Sequence, residues 1–183
     1  MTELTRLVKA AQQGDRLAFG ELYTRFARMV HGILLARVGR TDVDDLVQDV
    51  FITAMQRLDS IREPESFGGW LMTIARHRAA DHVRRAPEMS QLTDAVTARA
   101  EAATPDRAEA LAVLAAIRGL PDAYRETLTL RLVEGMTGPE IAERTGLTHA
   151  SVRVNLHRGM QMLRERLKSE YERGLSLGSH RRA

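Results

Sequence analysis

Apolar residues recur along this chain at intervals of three and four, and almost nowhere at two. Leu4, Leu7, Val8 and Ala11 form a first helical stripe, which closes at Gly14. A second starts near Asp15 and carries Phe19, Leu22, Tyr23, Phe26, Val30, Ile33 and Leu34. Gly39 is expected to end it in a left-handed cap. Thr41 then reads as an N-cap, with Asp44 three residues on as a shorter version of the capping-box acid. The helix it opens, DVDDLVQDVFITAMQRL, is predicted to bury Val43, Leu46, Val47, Val50, Phe51 and Ala54. Pro64 breaks the chain before a fourth helix, FGGWLMTIARHRAADHVRR, which must stop ahead of Pro87. Trp70, Leu71, Ile74, Ala75 and Val83 make its apolar side, and core packing is the first expectation for Trp70, the only tryptophan.

The pattern lapses from 87 to about 106, where Ala, Thr, Pro and acids replace large apolar side chains. Helical spacing resumes over 108–118, over 122–133 closed by Gly135, over 137–145 ended by Gly146, and from Thr148 to about Glu172. The tail GLSLGSHRRA has no packing pattern and is expected to fray. The fold class is therefore all-α: two small helical domains, 1–86 and 107–172, joined by a linker at 87–106 and followed by a flexible tail at 173–183.

Composition removes several classes of function. The 183 residues are 44% hydrophobic and 28% charged, enough for a packed core, and contain no cysteine. That excludes a disulfide scaffold, a thiolate metal site and a cysteine nucleophile. No apolar run approaches the roughly 20 residues of a membrane span, and the amphipathic N-terminus lacks a signal-peptide core. A cytoplasmic protein is expected. The six histidines are scattered. His77 and His82, five apart, lie on different faces of a helix, and Gly68-Gly69 lacks the Lys-Ser/Thr of a phosphate loop. No catalytic residue, metal or cofactor is expected, and the chain does not read as an enzyme.

Charge points the other way, toward a partner. Net charge is only +3, but of 27 basic residues only Lys9 and Lys168 are lysines. Guanidinium forks suit phosphates and guanine edges. The stretch 141–183 has nine Arg or Lys against four Glu, and 87–109 has five acids against two Arg. Basic blocks separated by an acidic stretch favour nucleic acid as the partner.

The sharpest local signal lies in 137–167. Thr137 and Glu140 form a capping box, with Pro139 in the first turn. Ala142 is small where two helices cross, Gly146 supplies a turn four residues later, Thr148 caps the next helix, and Val152 packs back. This is the spacing of a helix-turn-helix. His149, Ser151, Arg153, His157 and Arg158 then point outward, opposite a stripe of Val152, Leu156, Met160, Leu163 and Leu167. Arg153 and Arg158 are both suited to guanine or to phosphate, and which takes which stays open.

LPDAYRETLTLRLVEGMTGPEIAERTGLTHASVRVNLHRGMQMLRERL resembles the promoter-binding C-terminal domain of bacterial sigma factors, and the third and fourth helices resemble the core of their region 2 domain. With only these two domains, the chain is similar to the extracytoplasmic-function (ECF) sigma factors of the sigma-70 superfamily. The resemblance implies core RNA polymerase and promoter DNA as partners, with an anti-sigma factor as a further one. It places Asp45, Gln48 and Asp49 on the polymerase. It assigns Arg76, His77, Arg84 and Arg85 to the −10 element, and Thr148, Ser151, Arg153, His157 and Arg158 to the −35 element. His77 stands where the family usually has asparagine, and Asn155 and Met160 where it is often basic. A stand-alone helix-turn-helix regulator that dimerises on a palindrome is the alternative, and an interaction adaptor without DNA activity a third reading.

Overall fold

The computed structural model describes residues 1–85 and 105–179. Among these residues there are eight α-helices and no strand. The first half holds α1 (Glu3–Gln12), α2 (Arg16–Leu35), α3 (Val43–Gln56) and α4 (Phe67–Arg85). The second holds α5 (Pro105–Arg118), α6 (Asp122–Leu132), α7 (Gly138–Thr145) and α8 (His149–Ser179). The expected linker lies outside the described residues except for 105 and 106, which already belong to α5. α8 runs seven residues beyond Glu172, to Ser179, and the last four residues of the chain lie outside the description.

Side-chain caps set several helix starts. The Thr2 hydroxyl accepts from the Thr5 amide at 3.2 Å, and Asp15 accepts from Leu17 and Ala18 at 2.9 and 3.1 Å. Gly14, at φ +91°, makes the turn between α1 and α2. Two expectations fail at the next junction. α2 ends at Leu35, and Gly39 has an ordinary φ of −65° rather than a left-handed one. The reason is a cation from the other half: Arg118 donates to the carbonyls of Leu35 at 3.1 Å and Val38 at 2.7 Å. Carbonyls at the helix end that have such a donor need no glycine cap. Thr41 is likewise not an N-cap. It sits inside a 3₁₀ turn, Arg40–Asp42, and α3 begins at Val43 with Asp44 and Asp45 in its first turn, where the helix dipole favours them.

The predicted α3 stripe is buried throughout, as is the centre of α2. Phe26 and Phe67 meet edge-on at 5.0 Å between ring centres, and Trp70 packs beside Phe67. Val83, predicted on the apolar side of α4, is 52% exposed, because the packed part of that helix stops at Ala79.

The core is not divided as the sequence is. One small cluster belongs to the second half alone: Ala116, Ile117, Leu120, Leu128 and Leu163. The main cluster begins in α1–α4 and continues through Leu114, Leu130, Met136, Ile141, Ala142 and Val152. The apolar residues of the helix-turn-helix are therefore buried against the first half. Glycine permits the approach. Gly68 of α4 lies so close to the main chain of Arg144 that an added Cβ would fall on its carbonyl oxygen. Gly32 of α2 makes room in the same way for Leu130 of α6, whose Cδ2 would stand 2.7 Å from such a carbon.

Candidate nucleic-acid and partner-binding surfaces

The turn between α7 and α8 forms as its spacing predicts. Thr137 accepts from the Glu140 amide at 3.4 Å while Glu140 accepts from the Thr137 amide at 2.7 Å, a closed capping box. The bonds it accepts from the Thr137 amide and hydroxyl hold the Glu140 carboxyl below its ordinary range. Gly146 adopts φ +74°, and Thr148 accepts from the Ser151 amide at 3.1 Å to start α8. Thr148, His149, Ser151, Arg153, His157 and Arg158 are all exposed, and Val152 is buried. All five residues expected at a −35 element are thus exposed. Val154, 43% exposed among them, is an apolar group the sequence reading missed. Asn155 turns inward beside Thr127.

Asp45, Gln48 and Asp49 are also brought together, exposed on one side of α3. Ile52 and Met55 extend that face, both at least half exposed. Their place outside the apolar stripe of α3 was the signal that could have found them.

The four residues expected at a −10 element are not kept together. His77 and Arg84 line a groove of about 490 Å³ between α3 and α4, with Arg57, Arg78 and Asp81. Arg84 pairs with Asp81, and Arg78 donates to the Thr53 hydroxyl at 2.7 Å. Arg85 is exposed at the end of α4. Arg76, one position before His77 and so about 100° around the helix, faces α6 instead. There it forks onto Glu126, Nε to Oε1 at 2.9 Å and Nη2 to Oε2 at 2.6 Å.

Glu126 is the centre of a polar seam between the halves and is only 4% exposed. Arg37 donates to the same Oε1 from Nε and Nη2, at 3.2 and 2.7 Å, and reaches Asp122 at 2.7 Å. The hydrogen bond to Glu126 raises the Arg76 guanidinium; for Arg37, burial pulls downward but the bonds to Glu126 and Asp122 outweigh it. Farther along the seam the imidazole of His31 lies 2.6 Å from Glu134, with Asp44 at 4.0 Å. The Glu134 hydrogen bond raises the His31 pKa above 6.5 against the effect of burial. Arg28 donates to the Glu134 carbonyl, and Arg25 bridges Glu3 and Glu143. Apart from Arg76 and Asp44, none of these seam residues was singled out in the sequence, and neither of those two for a role in the seam. Their partners in the other half lie 50 to 118 residues away, beyond any local pattern.

Comparison with known proteins agrees with both halves. The Sigma-70 region 2 profile matches residues 22–87 and the Sigma-70 region 4 profile residues 110–163. The chain is 32% identical over 178 residues to the ECF RNA polymerase sigma-E factor of Haemophilus influenzae, covering 88% of this chain and 94% of that one. It is 32% identical over 166 residues to the RNA polymerase sigma factor CarQ of Myxococcus xanthus, covering 85% and 92%. Among solved structures, CnrH in complex with the cytosolic domain of CnrY aligns with a TM-score of 0.59 at 28% identity, over 90% of this chain and 97% of that one.

Proposed function

Since the chain belongs to the ECF sigma factors of the sigma-70 family, and so directs transcription initiation with RNA polymerase, we propose how its surfaces divide that work. Sigma factors are initiation factors rather than enzymes in themselves; phosphodiester chemistry is the polymerase's. Residues 1–86 act as the region 2 domain and 107–172 as the region 4 domain, with 87–106 linking them. Asp45, Gln48 and Asp49, extended by Ile52 and Met55, dock on a basic surface of core polymerase. His77, Arg84 and Arg85 meet the −10 element beside the groove that Arg57 and Arg78 also line, and Arg76 joins them from the adjacent side of α4. Thr148, Ser151, Arg153, His157 and Arg158 read the −35 element from the major groove.

The observation that carries the −35 assignment is the capped turn at Gly146, which leaves that whole face of α8 open while Val152 anchors it. The CnrH structure is a complex with a protein partner, which supports an anti-sigma factor as a partner here too. No described helix is long and apolar enough to cross a membrane, and the cytoplasm, where core polymerase works, is the compartment we assign.

Run-off transcription with core polymerase on genomic fragments, with and without the protein, tests this reading. A discrete transcript that needs the protein is expected, and its start site delivers the promoter letters. No transcript, together with a symmetric footprint formed without polymerase, would establish the stand-alone regulator instead.

A further inference from the structure

The two DNA faces sit too close together to work at once. By their nominal positions, −10 and −35 elements lie roughly 25 base pairs apart, about 85 Å of duplex at 3.4 Å per step. In the structure α4, which bears one face, touches α7, which leads into the other, through Gly68 and Arg144. A chain that holds both elements must therefore part its halves, and every bond across the seam is then broken.

Arg37 and Arg76 are the residues most changed by that step. Arg37 lies in the turn after α2 and Arg76 on α4, and their guanidiniums converge on one carboxylate that comes from the second half. Like charges held at one anion repel each other, and when α6 leaves, the two guanidiniums stay side by side without the carboxylate they shared. Such a pair suits a second anion of clustered oxygens. A backbone phosphate has the geometry that a guanidinium fork accepts as readily as a carboxylate.

We propose that Arg37 and Arg76 form one anion seat with two occupants: Glu126 in the closed chain, and a promoter phosphate once α6 has moved away. Glu126 is then an intramolecular competitor of DNA, and Arg37 is a DNA-binding residue. The inference rests on the assignment of Arg76 to promoter contact and deepens it.

The test uses the full-length protein with core polymerase, binding a promoter fragment over a salt series. Arg37→Ala is expected to weaken the complex about tenfold and to make the slope of log affinity against log salt shallower by about 0.7–0.9, one phosphate contact. If Arg37 only struts the halves together, its loss favours opening, and the complex is as tight as wild type or tighter with an unchanged slope. That result overturns the seat. Glu126→Gln keeps the shape and removes the charge, and is expected to tighten promoter binding severalfold; a misfolded protein cannot produce such a gain. Equal or weaker binding by Glu126→Gln would remove the competition. If the wild-type protein itself forms no promoter complex with core polymerase, the promoter assignment falls and the seat with it. A sound wild-type complex beside an unaffected Arg37→Ala removes the seat alone.

Discussion

The two helices that carry candidate DNA contacts, α8 and α4, differ in what the closed chain lets them do. On α8 the five expected residues are exposed together, and the buried side of the helix is what faces the rest of the protein. On α4 the set is split: His77 and Arg84 line an open groove, while Arg76 is tied to a buried acid of the other half. Both helices are equally regular, so the difference is not one of local structure. It comes from the packing between halves. A surface built only on one helix is available at once, whereas one that shares an arginine with a seam depends on the seam.

The strongest way to break this contrast is a wedge. Gly68→Ala places a methyl on the Arg144 carbonyl, which helix main chain cannot easily yield. It should cost the closed packing about 3 kcal/mol, while α4 itself gains, alanine being the better helix former. Small-angle scattering should show a radius of gyration rising above the roughly 16 Å expected for a compact chain of this length, with helicity unchanged by circular dichroism. An unchanged radius would mean that the α4–α7 approach does not hold the halves together.

Arg153→Ala and Arg158→Ala weaken the other side of the comparison. Each should lose about 1–3 kcal/mol of promoter binding where it reads a base bidentately, with the seam untouched. Unaltered promoter selection in both would remove the −35 assignment.

Asp49→Arg should spare both DNA faces and lower core-polymerase affinity about tenfold. Titration of core polymerase checks this, and normal binding would discount the docking face.

The smallest effect tunes the seam itself. His31 is faced by Glu134 and Asp44, which raise its pKa, and by Arg40, which lowers it, as burial does; the net shift is upward. Its support for closure is complete below the unfolded value near 6.5 and fades as pH rises through the higher folded one. Opening should therefore increase with pH above 6.5, by under about 1 kcal/mol since the imidazole is partly open to water, and His31→Gln should flatten that dependence. A slope that survives the substitution would assign it to another group.

Most of what is local was legible in the sequence. The Thr137–Glu140 box, the Gly146 turn and the buried stripe of α3 each follow from residues within a few positions of one another. The exposure of Asp45, Gln48 and Asp49 and of the residues proposed for the −35 element came with them, since the outward side of a helix is fixed once its phase is known. Failures cluster where the cause is distant. Gly39 and Thr41 were misread because the end of α2 takes its hydrogen bonds from Arg118, some 80 residues on. Glu126 gave no signal at all. α6 buries five consecutive residues, Glu126 to Leu130, because it is packed on opposite sides by α2 and α8. A helix pressed between two layers loses the one-sided pattern that periodicity detects.

The Arg118 contact reaches further than the place where it was first noticed. Its guanidinium, whose pKa burial lowers, stays on α5 when the halves part, and the carbonyls of Leu35 and Val38 are left to water. The last turn of α2, including the amides of Ala36 and Val38 that bond back to Gly32 and Leu34, then frays more readily. Those two amides become a built-in clock: their deuterium uptake counts how often the molecule opens.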